Sequence, residues 1–259
     1  MKTLPVNEFQ GSMINEEEEE KIIEINNLKI SFGNQEVLKD VTLDLYKGEN
    51  LVILGKSGSG KSVLIKCITK LLRPDSGTIK VLGKEIDKLS SKELAELRQK
   101  IGFLFQGGAL YDSMNVKENL EFPLKRIKKN FSRKEMDEKI IEVLENVGLG
   151  DSLYKMPSEL SGGMRKRIAL ARTIVVDPLI MLYDEPTTGL DPITSEEISS
   201  LINDVQHQYK TSSIVITHDI ACAKKIADRI IMLKDGEIYI EGTFEDLEAS
   251  EDPWIKAFL

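Results

Sequence analysis

Three short apolar runs, Asn50–Leu54 (NLVIL), Leu179–Tyr183 (LIMLY) and Ser213–Thr217 (SIVIT), show no alternation of polar and apolar residues. A strand with one wet face would alternate, so these read as strands buried on both faces, in a mostly parallel sheet covered by helices. The first run leads directly into a glycine-rich turn and then into a helical stretch, SVLIKCITKLL. With 259 residues, of which 41% are hydrophobic, the chain can bury one large α/β core and carry a smaller insert.

From Ile22 to Leu45, β-rich pieces separated by turn residues (Gly33-Asn34, Lys47-Gly48) suggest an antiparallel sheet at the edge of that core. Between Gly107 and about Ser158 the composition turns to charged amphipathic helix, read as an inserted helical subdomain. Beyond His218 come a helix (ACAKKIADRI), a hairpin turning at Lys234-Asp235-Gly236, and a short acidic helical tail ending in DPWIKAFL. The expected division is a disordered acidic extension (1–21), an α/β core (22–106 and 159–245), a helical subdomain (107–158) and a C-terminal tail (246–259).

The net charge of −8 disfavours a partner held by phosphate neutralisation, so no nucleic acid is expected. Cys67 and Cys222 match no metal-ligand or redox spacing and read as buried thiols. No apolar run approaches the length of a membrane span, and the amino end lacks a secretory pattern. The expectation is a cytoplasmic chain whose membrane role comes through a partner.

Gly55-Lys56-Ser57-Gly58-Ser59-Gly60-Lys61-Ser62 fits the spacing Gly-x-x-x-x-Gly-Lys-Ser/Thr and lies between a buried strand and a helix, where a phosphate loop must lie. Glycines let successive N–H groups curl around phosphate oxygens, and the following helix adds its positive end. Lys61 is then placed to bridge the β and γ phosphates, and the Ser62 hydroxyl to ligate Mg²⁺. Asp184 and Glu185 end a second buried strand, and ligands of open parallel sheets lie beyond the carboxyl ends of the strands. Adjacent acids there can be mere solvated turn residues. Beside a phosphate loop, Asp184 reads as a Mg²⁺ ligand and Glu185 as the general base for water. His218 ends the third strand and should reach the same edge to sense the γ-phosphate through a hydrogen bond, whereas His207 sits in a polar helical stretch and reads as surface.

Taken together, GKSGSGKS, LSGGM, LIMLYDEP, GLDP and THD stand in the order of an ATP-binding cassette (ABC) ATPase, and the resemblance extends from about Ile22 over nearly the whole chain. It implies a P-loop NTPase core, with ATP and Mg²⁺ as cofactors. It also implies that Leu160-Ser161-Gly162-Gly163-Met164 presents a helix amino end to the γ-phosphate held by a second copy. Ser161 can cap that helix, and Gly162 and Gly163 allow close backbone approach. By position, Gln106 is implied to touch Mg²⁺ and the attacking water, Asp191 to cross the interface between copies, and Phe32 to stack on adenine. Phe32 also admits the reading of a core phenylalanine. Val63 closes the nucleotide-binding loop where threonine is frequent in the family, and Met164 replaces the usual glutamine.

One phosphate loop and one signature imply a homodimer clasping two ATP molecules. Phe105–Leu124, LSGGMRKRIALARTIVVDP and the DPWIKAFL ending resemble ATPases of the Mla (maintenance of lipid asymmetry) and Mce-associated type. That resemblance implies phospholipid or other lipid transport through an MlaE-like permease on the inner face of the inner membrane, with a periplasmic lipid-binding subunit of the MCE type. It also makes Trp254 and Phe258 candidate anchors on a neighbouring subunit. The alternatives are a non-transport ABC ATPase that regulates cell-envelope or division machinery, and the ATPase of a polar-solute importer.

Overall fold

The computed structural model describes residues 20–128 and 130–259, so the acidic extension lies outside the described residues except for its last two positions. Strands β1 (Lys21–Phe32) and β2 (Gln35–Tyr46) form an antiparallel hairpin across Gly33-Asn34. Buried positions of β1 run Ile23, Ile25 and then Leu28, Ile30, a change of parity that would turn half the strand outward. A bulge at Asn26-Asn27, with Asn27 at φ 48°, absorbs the extra residue and keeps Leu28 and Ile30 buried along with Ile23 and Ile25.

Strand β3 (Asn50–Leu54) is buried throughout and runs through the glycine loop into helix α1 (Lys61–Ile68). Strands β4 (Ser76–Val81) and β5 (Lys84–Glu85) complete an antiparallel sheet of order β2-β1-β4-β5. Helix α2 (Ser91–Arg98) starts on a Ser90/Glu93 capping box and leads to β6 (Ile101–Leu104). Three helices follow: α3 (Val116–Ile127), α4 (Arg133–Asn146) and α5 (Gly162–Ile174). The chain then alternates through β7 (Ile180–Asp184), α6 (Pro192–Tyr209), β8 (Ser212–Thr217), α7 (Ile220–Ile226), β9 (Arg229–Lys234) and β10 (Glu237–Gly242). Two short helices end it, α8 (Phe244–Glu248) and α9 (Pro253–Lys256).

The second sheet has the order β10-β9-β3-β8-β7-β6, parallel except for its edge strand β10. This is the α/β P-loop architecture, with an antiparallel subdomain and helical insertions. The continuous apolar strands follow from two separate cores. Val52, Leu54, Met181, Tyr183 and Val215 pack with α3 to α7 on one face. Leu51, Ile53, Leu182, Ile214 and Ile216 pack with α1 and the β1/β2 hairpin on the other. In register, Leu54 pairs with Thr217 and Asp184 with Ile216, so three strands end at one edge. Among the described residues no helix is long and apolar enough to cross a membrane.

Candidate functional site

Where β3 ends, the glycine loop turns with Gly58 at φ 81° and Gly60 at φ 105°, in the left-handed region that side chains avoid. A Cβ on Gly60 would also stand 2.6 Å from Leu38 Cδ2 and 3.0 Å from the Val37 carbonyl. Gly60 caps α1 without a side-chain hydrogen bond, so N–H groups of the first turn remain available to an anion. Lys61 is 6% exposed. Its Nζ donates to the carbonyls of Gly55 (2.7 Å) and Lys56 (3.2 Å) and lies 3.7 Å from Glu185 Oε1. Burial pushes the Lys61 pKa down, opposed by the charges of Glu185 and Asp184.

The Ser62 hydroxyl donates to Asp184 Oδ1 at 3.0 Å. Burial raises the Asp184 pKa, against the effect of that hydrogen bond. Glu185 sits at φ 51°, a strained conformation at the strand end that turns its carboxylate toward the glycine loop. Glu185 Oε2 accepts from the Thr188 hydroxyl (3.0 Å) and lies 2.8 Å from His218 Nδ1. A cavity of about 580 Å³ is lined by the loop residues Lys56, Ser57, Gly58, Gly60, Lys61, Ser62 and Val63, together with Gln106, Glu185 and His218. Ser59 faces a neighbouring cavity, and its buried hydroxyl has no hydrogen-bond partner among the described residues.

This donor set fits a nucleoside triphosphate with Mg²⁺. Two lysines and an uncapped helix end suit phosphate oxygens, and a hydroxyl, a carboxylate and an amide oxygen are the hard ligands Mg²⁺ takes. The structure brings Lys56 to Gly58, Gly60 to Val63, Gln106, Glu185 and His218 to one cavity, with Asp184 hydrogen-bonded to Ser62.

Other expected residues stand elsewhere. Neither Ser161, Gly162, Gly163 nor Asp191 lines the cavity. Ser161 caps α5, its Oγ accepting from Met164 N at 3.2 Å. Asp191 caps α6, accepting from the Thr194 N–H (3.0 Å) and hydroxyl (2.6 Å), bonds that hold its pKa below the usual carboxylate value. Phe32 is half exposed at the end of β1, outside both hydrophobic cores, and lines neither cavity. Trp254 packs edge-on against Tyr239 with ring centroids 4.8 Å apart, and its other aromatic neighbour is Phe258. Both expected anchors therefore pack on their own chain.

Sequence reasoning missed Val37 and Ala257, which line the cavity beside Phe258, a residue expected only as an anchor; Thr188, on Glu185; and Lys166, whose Nζ donates to the Gln106 carbonyl. Burial lowers the Lys166 pKa, opposed by the charges of Asp184 and Glu185. The segment after Gln106 is pinned as well. Fully buried Asn119 accepts from Tyr111 N (2.9 Å) and donates to the carbonyls of Tyr111, Met114 and Asn115.

A sequence profile of the family described as "ABC transporter" matches residues 38–188. The chain is 43% identical over 237 residues to the probable ribonucleotide transport ATP-binding protein mkl of Mycobacterium leprae, a match covering 92% of this chain and 68% of that one. It thus spans about two thirds of that relative's length. It is 38% identical over 243 residues to the intermembrane phospholipid transport system ATP-binding protein MlaF of Haemophilus influenzae, covering 93% of this chain and 90% of that one. Among solved structures it resembles the dimeric post-hydrolysis state of the ATP-binding cassette MJ0796 bound to ADP and Pi. That match has a TM-score of 0.78 and 34% identity, and covers 86% of this chain and 98% of the other.

Proposed function

The chain belongs to the ABC transporter family as an ATP-binding, ATP-hydrolysing subunit that works with Mg²⁺, and from that premise we propose that two copies close head to tail on two ATP molecules to drive a membrane permease. One observation carries this reading. Lys61, Gln106, Glu185 and His218 face a single cavity, while Ser161, Gly162 and Gly163 of the same chain do not reach it. A second copy supplies the missing wall, and a two-fold axis gives both sites the same completion.

Within each site, Lys61 exchanges its carbonyl partners for phosphate oxygens, and the α1 amino end and Ser57 to Gly60 surround the remaining phosphate charge. Ser62, Asp184 and Gln106 are the groups that would hold Mg²⁺, which when bound neutralises phosphate charge. Glu185 accepts the proton of the attacking water at its carboxylate, which His218 and Thr188 keep oriented. The chain works at the inner face of the membrane, through its permease.

Two relatives support different cargoes. The higher identity belongs to a protein named for ribonucleotide transport, which favours a polar solute. A lipid cargo has a different support: the chain spans 90% of the phospholipid system's ATPase but only 68% of the other relative. The test of the switch is light scattering of Glu185→Gln with ATP and Mg²⁺. A dimer that forms with ATP and dissociates with ADP supports it, and a chain monomeric in both overturns it. Uptake of labelled nucleotide against transfer of labelled phospholipid, in vesicles holding the chain with its permease, separates the cargoes.

A further inference from the structure

Helix α5 begins at the two signature glycines, and its fifth residue, Lys166, turns away from solvent and is 7% exposed. A lysine so buried is normally paired with a carboxylate. Among the described residues Lys166 forms no ion pair. Its ammonium donates to two main-chain carbonyls, those of Gln106 (2.5 Å) and Glu185 (3.4 Å). These residues follow the adjacent parallel strands β6 and β7, so one side chain joins two strand ends to a helix.

Both main-chain segments need holding. Glu185 sits at φ 51°, and Gly108 and Ala109 have φ of 75° and 51°. Arg172, nearly two turns farther along α5, makes a second grip by donating to the Ala109 carbonyl, with its guanidinium 4.6 Å from the centre of the Tyr111 ring. The helix that carries Ser161 to Gly163 at one end is thus fastened along its length to the loop of Gln106 and to the strand end of Glu185.

We propose that Lys166 is a positioning residue: it fixes the main chain of Gln106 and Glu185 to the signature helix, so that placement of that helix on the partner's nucleotide sets the hydrolytic geometry of its own site. This rests on the roles given above to Glu185 and Gln106. Lys166 does not line the cavity. Its loss acts on turnover through the orientation of Glu185 and Gln106, and leaves nucleotide affinity to Lys61 and the glycine loop.

The test compares Lys166→Met, which keeps the length and burial but removes the donors, with Lys166→Arg, which restores donors and charge. Glu185→Gln runs in parallel, all in the full chain. Steady-state ATPase kinetics, equilibrium ATP binding and thermal unfolding are measured for each. Lys166→Met is expected to lose about 10- to 100-fold in kcat, the scale of a small misplacement of reacting groups. Its KM and ATP affinity should stay within about threefold of the parent, and Lys166→Arg should recover most of the rate. Lys166→Met with a kcat within threefold of the parent overturns the proposal. So does a loss in which kcat, ATP affinity and Tm fall together, or Lys166→Arg no faster than Lys166→Met. Full turnover in Glu185→Gln sinks instead the underlying assignment of Glu185, whatever the lysine variants do.

Discussion

His218 Nδ1 lies 2.8 Å from Glu185 Oε2, and the Thr188 hydroxyl donates to the same oxygen. A carboxylate held by two neighbours cannot swing freely, and a general base works only when aimed at the water it deprotonates. His218→Ala should therefore lower kcat by about 10²-fold and change ATP affinity by less than threefold, with Thr188→Val giving a smaller loss of the same kind. Phosphate release and equilibrium binding of ATP check both. An affinity loss matching the rate loss would place His218 in binding instead of in orienting Glu185.

The two signature glycines have different reasons to be glycine. A Cβ on Gly163 would stand 2.5 Å from Thr194 Cγ2, in the helix capped by Asp191, so packing within the chain excludes a side chain there. On Gly162 the nearest atom would be Leu190 Cδ2 at 3.7 Å, an ordinary contact. Nothing within one chain asks for glycine at Gly162, and its bare backbone is free for a ligand or a second copy. Gly162→Ala should leave thermal stability unchanged or raise it by up to about 1 kcal/mol, yet abolish ATP-dependent dimerisation in the Glu185→Gln background. Gly163→Ala should lower Tm even without nucleotide.

Much of this was legible in the residues, for physical reasons that can be named. NLVIL, LIMLY and SIVIT announced themselves because alternate apolar residues enter two different cores, although Leu179 lies just before its strand and is exposed. The phosphate loop was legible because glycine spacing and a lysine are themselves the chemistry. The strand of Ser76–Val81 was not, since four of its six residues are only partly buried or exposed and it is held by pairing with β1. Lys166 was hidden by its own type: a lysine in the run MRKR reads as a solvated face, and only the fold turns it inward.

Ser62 and Asp184 share a hydrogen bond of 3.0 Å. Asp184→Asn retains an acceptor for the Ser62 hydroxyl but removes the charge a divalent ion would meet. The expected outcome is an unchanged fold and at least about a tenfold rise in the Mg²⁺ concentration needed for half-maximal turnover. Titration of ATPase rate with Mg²⁺ at fixed ATP, beside circular dichroism, measures it. An unshifted Mg²⁺ midpoint would remove Asp184 from the metal site.

Cys67 and Cys222 are 0% and 2% exposed, and burial raises the pKa of each thiol to about 11, from 9.0 for the free group. The reactive species is the thiolate, so at pH 8 the folded chain presents roughly 100-fold less of it than the unfolded chain, before burial blocks access. Because folding raises both values, the thiols favour the folded state below pH 9, and that contribution falls as the pH rises toward 11. Native protein at pH 8 should leave both thiols unlabelled by Ellman's reagent on the time scale that labels free cysteine. In urea both should react. ATP with Mg²⁺ should slow native labelling of Cys222 further, because α7, which carries it, starts just after His218 and nucleotide binding opposes the opening that exposes that helix. Rapid native labelling of Cys222, indifferent to nucleotide, would show that α7 opens independently of the phosphate site.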